Sequence, residues 1–379
     1  MKKKPSRKYE RVVYVLQGGG ALGAYQVGVI AALHEHHYFP DAISGISIGA
    51  INAAILAGNS AETRVETLKL FWNKISTQFP FDELNVFKQN LTGLYNQLGA
   101  TSALLLGQPN FFKPRLHNPW VMREKEVDKI SFYDIAPLRK TLLELIDFDR
   151  INAKEIPLYL GAVCVRTGEQ VYFNNLEHHI TPEHIMASAA LPPGFPAVKV
   201  GDEFYWDGGV YSNTPITAFL KANPTHNTLC FAVNCYSPCG SLPHTFDEVQ
   251  QREKDIRYSS HFQEYFHLYC KQQNLRGAIT HLAQRLSDED KKDAVVQDIL
   301  KWGTPKLVDI VQLIYESNAN SASSKDFNFA KVTLEKHQRN GYDDMRLALE
   351  KKVWDDHCDG HIGARIHTVS NHCISEKKE

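Results

Sequence analysis

The stretch Arg11–Gly58 runs twice from a short apolar strand through a small-residue turn into a helix, a pattern that only α/β layer architectures accommodate readily. Val12–Leu16 is an apolar run rich in β-branched residues and reads as a buried strand. It enters Gly18-Gly19-Gly20-Ala21-Leu22-Gly23, after which Ala24, Val27, Ile30, Ala31 and Leu33 recur at helical spacing. Asp41–Ser44 supplies a second strand, and Gly45-Ile46-Ser47-Ile48-Gly49 turns into a second helix running through Ile55.

Each turn implies its own chemistry. In G-x-S-x-G the serine sits on a sharp strand-to-helix turn, where side chains at the Gly45 and Gly49 positions would clash. That geometry lifts Ser47 Oγ out of the sheet and places it at a helix start, where backbone N–H groups and the dipole favour developing negative charge. The first turn presents unblocked N–H groups at another helix start, an oxyanion or phosphate cradle. Gly18, Gly20 and Gly23 also satisfy the G-x-G-x-x-G of a dinucleotide site. That site wants an acidic residue ending the next strand, whereas Asp41 precedes it and Ile46-Ser47 stands at its end. The dinucleotide reading remains the alternative.

A chain of 379 residues holds one large domain or two ordinary ones, and a formal net charge of −1 gives no reason to expect nucleic acid as a partner. No apolar run approaches a membrane span, so a transient contact with a membrane surface is the closest association the sequence suggests. Residues 1–11 form a basic leader, read as a flexible tail, with acidic lipid headgroups as the other reading. Seven irregularly spaced cysteines suit free thiols in a reducing, cytoplasmic setting. His357, Cys358, Asp359, His361, His367, His372 and Cys373 near the C-terminus fit no familiar zinc spacing, and no metal is expected.

Further along, Val65, Leu68, Phe71, Trp72 and Ile75 make an amphipathic helix. Phe79 to Trp120 is apolar and glycine-punctuated, either a lid or acyl-chain wall or an ordinary helical insertion. Leu138–Ile146 reads as a helix, and Leu158–Val165 with Gln170–Asn174 as a hairpin. Ile185–Val198 is a short helix broken by Pro192-Pro193 and Gly194; Glu203–Trp206 is a strand entering the turn Asp207-Gly208-Gly209. Thr228–Asn234 is one more apolar strand. Residues 240–379 look mainly helical: an aromatic stripe from Ile256 to Leu286 interrupted at Gly277, a strand or helix pair over Leu300–Ile314, a polar break at Asn318–Ser324, and a helix from Phe329 to Val353 broken at Gly341.

A serine hydroxyl needs a base to take its proton. A Ser/Asp/His triad of the α/β-hydrolase type usually follows several strands, whereas Ser47 follows the second. A Ser/Lys pair would have to use Lys69, the first lysine downstream. A Ser–Asp dyad with the glycine turn receiving the oxyanion is the third arrangement.

The succession Gly18-Gly19-Gly20-Ala21-Leu22-Gly23, Gly45-Ile46-Ser47-Ile48-Gly49, Ala187-Ser188-Ala189-Ala190 with Pro192 and Phe195-Pro196, and Asp207-Gly208-Gly209 resembles the patatin-like phospholipase family. The resemblance covers about residues 12–234. Phe111-Phe112-Lys113-Pro114-Arg115, Tyr258-Ser259-Ser260 and Phe327 through His337 to Gly341-Tyr342 are similar to a bacterial subgroup with a helical C-terminal extension. The resemblance implies a three-layer α/β/α fold with a central, mainly parallel sheet, a catalytic domain over 12–239 and a helical extension over 240–379. It implies Ser47 as nucleophile, Asp207 as base in the Asp207-Gly208-Gly209 turn, and the N–H groups of Gly18, Gly19 and Gly20 as oxyanion hole. It also implies lipid acyl-ester hydrolysis on phospholipid or another acyl ester, no metal or cofactor, and for some relatives a protein activator. Many relatives carry Arg or Lys where this chain has Leu22, which bears on headgroup preference. Two other readings are a catalytically weak scaffold binding a protein partner, alone or as a homo-oligomer, and a hydrolase of an intracellular polyester or thioester.

Overall fold

In the computed structural model the described residues are 8–79, 92–116, 126–220, 224–316, 325–359, 361–370 and 373–377. The basic leader up to residue 7 and the polar break at 318–324 fall outside them. The two expected strand–turn–helix units are present: β1 (Arg11–Leu16) leads to α1 (Ala24–Glu35), and β2 (Ala42–Ile46) to α2 (Ile48–Ala57). They are followed by α3 (Arg64–Lys74), α4 (Thr92–Leu106) and α5 (Ala136–Leu145). Next come the hairpin β3 (Leu158–Cys164) and β4 (Gln170–Asn174), α6 (Pro182–Ser188), and the strands β5 (Val198–Val200), β6 (Glu203–Asp207) and β7 (Thr228–Asn234). The C-terminal region holds α7 (Phe246–Ala283), β8 (Val308–Ile314), α8 (Lys331–Lys351), β9 (Ala364–Ser370) and β10 (Cys373–Lys377).

One 10-stranded sheet organises the chain, in the order β10-β9-β8-β7-β1-β2-β3-β6-β5, with β4 paired to β3. Pairing is parallel from β9 through β3 and antiparallel at both ends. Period-two alternation along β1 splits its side chains between two cores. Val12, Tyr14 and Leu16 join α1, α2, α3 and α8 on one face, while Val13 and Val15 meet Phe262, Phe266 and Tyr269 of α7 on the other. The result is a three-layer α/β/α arrangement.

The C-terminal region is mainly helical, yet it also donates β8, β9 and β10 to the central sheet. β8 is buried along its whole length, as suits a parallel strand covered on both faces. The aromatic stripe of α7 packs as expected at Phe262, Phe266 and Tyr269, while Ile256 and Leu282 stay exposed. Gly277 and Gly341 do not break their helices. Gly341 is instead a point of close approach: a Cβ there would lie 2.0 Å from Tyr25 O of α1, and one on Gly28 would lie 1.8 Å from Gln338 O of α8. Tyr25 Oη donates to Asp344 Oδ2 at 2.8 Å across the same seam.

The histidine-rich tail also has a structural reason. His367, fully buried on β9, hydrogen-bonds Asp309 at 2.7 Å, and Arg365 donates to both oxygens of that carboxylate at 2.7 and 3.0 Å. Tyr9 Oη donates to it as well, at 2.6 Å. A carboxylate buried with this many donors is a locked junction between β8, β9 and the start of β1. Among the described residues no helix is long and apolar enough to cross a membrane.

Candidate active site

Ser47 stands between β2 and α2 with φ 57 and ψ −128, a conformation costly for a residue bearing a Cβ. The turn is held by its neighbours: Ser47 N–H donates to Ser188 O at 3.0 Å, and Ser188 Oγ donates to Gly161 O at 2.6 Å. A Cβ on Gly45 would lie 2.2 Å from Gly49 O, and one on Gly49 would lie 2.3 Å from Leu16 O. Both elbow glycines are therefore required for the helix to leave the sheet this tightly. Ser47 sits beyond the carboxyl end of a central parallel strand and at the amino end of α2, where the helix dipole favours negative charge.

Asp207 ends β6, where it pairs in register with Ala162, and its N–H donates to Ala190 O at 3.0 Å. Its Oδ1 accepts from Gly209 N–H at 2.7 Å, while its Oδ2 has no hydrogen-bond partner of full geometry. The residue is 1% exposed. Burial pushes its carboxyl up to about 7, against the pull of the Ser47 hydroxyl and the Gly209 N–H. The Ser47 hydroxyl is thus near enough to Asp207 to favour its charged form. Gly208 packs flat on β3, since a Cβ there would lie 2.6 Å from Gly161 O.

The glycine turn departs from expectation at one residue. Gly18 N–H donates to the Asn213 carbonyl at 3.2 Å, and Asn213 Nδ2 returns a bond to Gly18 O at 2.9 Å. Gly18 therefore has no free donor for an oxyanion and acts as the fixed end of the loop. Gly19 and Gly20 line the cavity beside Ser47, at the start of a short 3-10 turn whose first N–H groups have no intrahelical partner. Gly20 has φ +54, which only glycine adopts without strain. Leu22 is fully buried in the core and does not line the cavity.

Ser47, Asp207, Gly19, Gly20 and Gly209 share one cavity of about 70 Å³. Phe111, Phe112, Phe195 and Phe329 wall it as an edge-to-face stack, with the Phe112 and Phe195 ring centroids 5.2 Å apart. Tyr236, Tyr258, Asp326 and Phe327 line another side, and Ile48, Ala189, Leu191 and Asn213 complete the wall among the described residues. Among the described residues lining it there is no histidine and no lysine, Lys69 included. The region from Phe79 to Trp120 contributes Phe111 and Phe112 to the cavity wall as well as the helix α4; residues 80–91 and 117–120 lie outside the described ones. Sequence reasoning missed Asn213 and the roles of Tyr258, Asp326 and Phe329. The stretches that suggested a subgroup contain Tyr258 and Phe329, while Asn213 and Asp326 lie outside them.

The family model described as Patatin-like phospholipase matches residues 14–220, and a second, described as Patatin phospholipase, matches residues 256–361. "Triacylglycerol lipase 4" of Saccharomyces cerevisiae is 34% identical over 107 residues, 28% of this chain and 10% of its own length. "Probable lipid hydrolase 463L" of Invertebrate iridescent virus 6 is 25% identical over 221 residues, covering 58% of this chain and 67% of that protein. The solved structure of VipD from Legionella pneumophila has a TM-score of 0.38 at 15% identity, covering 90% of this chain and 67% of that one. The chain spans about a tenth of the length of the Saccharomyces cerevisiae and Pyricularia oryzae relatives it matches. With the glycine turn, the serine elbow and the Asp-Gly-Gly turn all inside the matched residues, the chain belongs to the patatin-like phospholipase family.

Proposed function

We propose that the protein is a serine acyl hydrolase that cleaves lipid esters through an acyl-Ser47 intermediate, with Asp207 as base. One observation carries the reading: a strained elbow serine and a buried aspartate with its carboxyl at about 7 line one cavity, with no histidine among the described residues of its wall. Asp207 takes the hydroxyl proton as Ser47 Oγ attacks the ester carbonyl, and the oxyanion turns toward the N–H groups of Gly19 and Gly20. The C–O bond then breaks, and the departing alcohol takes the proton from Asp207. A water attacks the acyl-serine, again losing its proton to Asp207, and Ser47 leaves with that proton as the fatty acid is released. A base with pKa near the working pH is well suited to both half-reactions.

The aromatic walls support an acyl chain as the bound group, and the names of the yeast and viral relatives support a lipid. Leu104, Leu105, Leu106 and Leu116 are exposed on the chain segments leading to and from Phe111–Phe112, which favours a transient contact with a lipid surface from the cytoplasm. An activator protein acting through the C-terminal region belongs to the same proposal, because that region supplies Tyr258, Asp326 and Phe329 to the cavity. The test is covalent: an alkyl fluorophosphonate should label wild type at Ser47, read by peptide mass spectrometry, and leave Ser47→Ala unlabelled. Labelling of another residue, or none in a folded wild type, would refute it.

A further inference from the structure

Among the described residues, those lining the cavity around Ser47 include two acids, Asp207 and Asp326, and no basic residue. Two lysines stand beside this wall, and each is bonded to an acid. Lys254 Nζ donates to Asp326 Oδ1 and Oδ2 at 3.0 and 3.2 Å, and Lys325 Nζ donates to Asp255 Oδ1 at 2.9 Å. The Lys254 and Asp326 side chains are 25% and 12% exposed, so water screens their pair only partly. Asp326 is also fixed from the other side: its carbonyl oxygen lies 2.2 Å from where a Cβ of Gly20 would be. The Asp326 backbone and Cβ therefore sit beside the loop assigned above to the oxyanion, with the carboxylate held by Lys254. Leu22, buried in the core, gives that loop no cation.

This arrangement bears on which esters can reach Ser47. In a phospholipid the phosphate is only a few bonds from the ester carbonyl. Bringing that carbonyl to Ser47 takes the phosphate's water away next to a carboxylate, with no cation offered in return. An acylglycerol carries no such charge and meets only aromatic walls and neutral backbone.

Resting on the hydrolase reading, we propose that Asp326, paired with Lys254, sets headgroup selection, and that the site takes uncharged acyl esters in preference to esters bearing an anionic phosphate near the scissile carbonyl. Within the pair the two charges offset each other, so removing either partner exposes the opposite charge at the same wall. Asp326→Asn leaves the Lys254 cation and favours an anionic headgroup; Lys254→Gln leaves the Asp326 carboxylate and disfavours it further.

The experiment compares kcat/KM for a diacylglycerol and a phosphatidylglycerol of identical acyl chains, each dilute in excess uncharged detergent micelles. Wild type should favour the diacylglycerol. Asp326→Asn should lower that ratio and Lys254→Gln raise it, each by about tenfold, the effect of one unit charge across about 12 Å at an effective dielectric near 20. Lys254→Arg keeps the charge and should hold the ratio within about twofold, which separates charge from packing. Thermal unfolding is recorded for every variant, and the two lysine variants suffice where Asp326→Asn does not fold. A ratio unmoved in both charge variants while rates on both esters change together would overturn the proposal, since the pair would then only hold the wall in place. A ratio moving the same way in both, or a wild type that prefers phosphatidylglycerol, would do the same. Silence of folded wild type toward both esters would remove the hydrolase reading and this proposal with it.

Discussion

Asp207→Asn should make the protein inactive and, above neutral pH, more stable. The carboxyl is held at about 7 in the fold against 3.8 in its ordinary setting, chiefly because burial disfavours the charged form. A raised acid keeps its proton in the native state where the unfolded chain has already lost it. Native stability is therefore greatest below pH 3.8 and is lost progressively as pH rises to about 7. Integrating between those values, the ionisation costs the wild type about 1.7 kcal/mol at pH 5 and about 4.3 kcal/mol at pH 8. Asparagine does not ionise. Whatever fixed cost its unpartnered amide adds is the same at both pH values, so it cancels in the comparison. The stability of Asp207→Asn relative to wild type should thus rise by about 2.5 kcal/mol between pH 5 and pH 8. Denaturant midpoints and m-values for both proteins at the two pH values measure it. A difference that does not change with pH would refute the reasoning, because Asp207 would then titrate as an ordinary carboxylate.

The remaining predictions concern other parts of the site and its support. The logarithm of kcat/KM should rise with unit slope up to about pH 7 and then level off, the profile of one essential carboxylate base; a plateau reaching down to pH 5 would contradict it. Asn213→Ala removes the bond to Gly18 O at 2.9 Å and should cost about 1–3 kcal/mol of stability and lower kcat about tenfold or more, measured by unfolding and steady-state kinetics. Gly341→Ala places a methyl 2.0 Å from Tyr25 O and should destabilise by about 1–3 kcal/mol by spreading α1 from α8, read from the denaturant midpoint.

The parts of the molecule legible in the sequence were those whose causes are local. Gly45 declares a tight elbow because its clash, with Gly49 O, arises within the turn itself, whereas Gly49 is pressed against Leu16 O of the adjacent strand β1. Asp207 is different: Asp-Gly-Gly is an ordinary turn, and only the resemblance to a family tied it to Ser47, since the pairing of β6 with β3 brings them together. Gly341 and Gly277 read as helix breaks because glycine propensity is a local quantity, while their reason lies in a neighbouring backbone remote in the chain. β8 could not be told from a helix, because a strand covered on both faces has no alternation to show. β9 was hidden by His367 and Arg365, whose burial makes sense only beside Asp309 of the adjacent strand. The cavity walls from Tyr258, Asp326 and Phe329 depend on the C-terminal region joining the same sheet, and no short-range pattern encodes that.

The central claim is that Ser47 and Asp207 act as one unit without a histidine. The most direct measurement is kcat on one acyl ester for Ser47→Ala, Asp207→Asn and the double variant, each verified as folded. The account predicts that each single change lowers kcat by about a thousandfold or more, and that the double variant falls no further than Ser47→Ala alone. An Asp207→Asn enzyme that keeps about a tenth or more of the wild-type rate, or a double variant showing the product of the two losses, would contradict it.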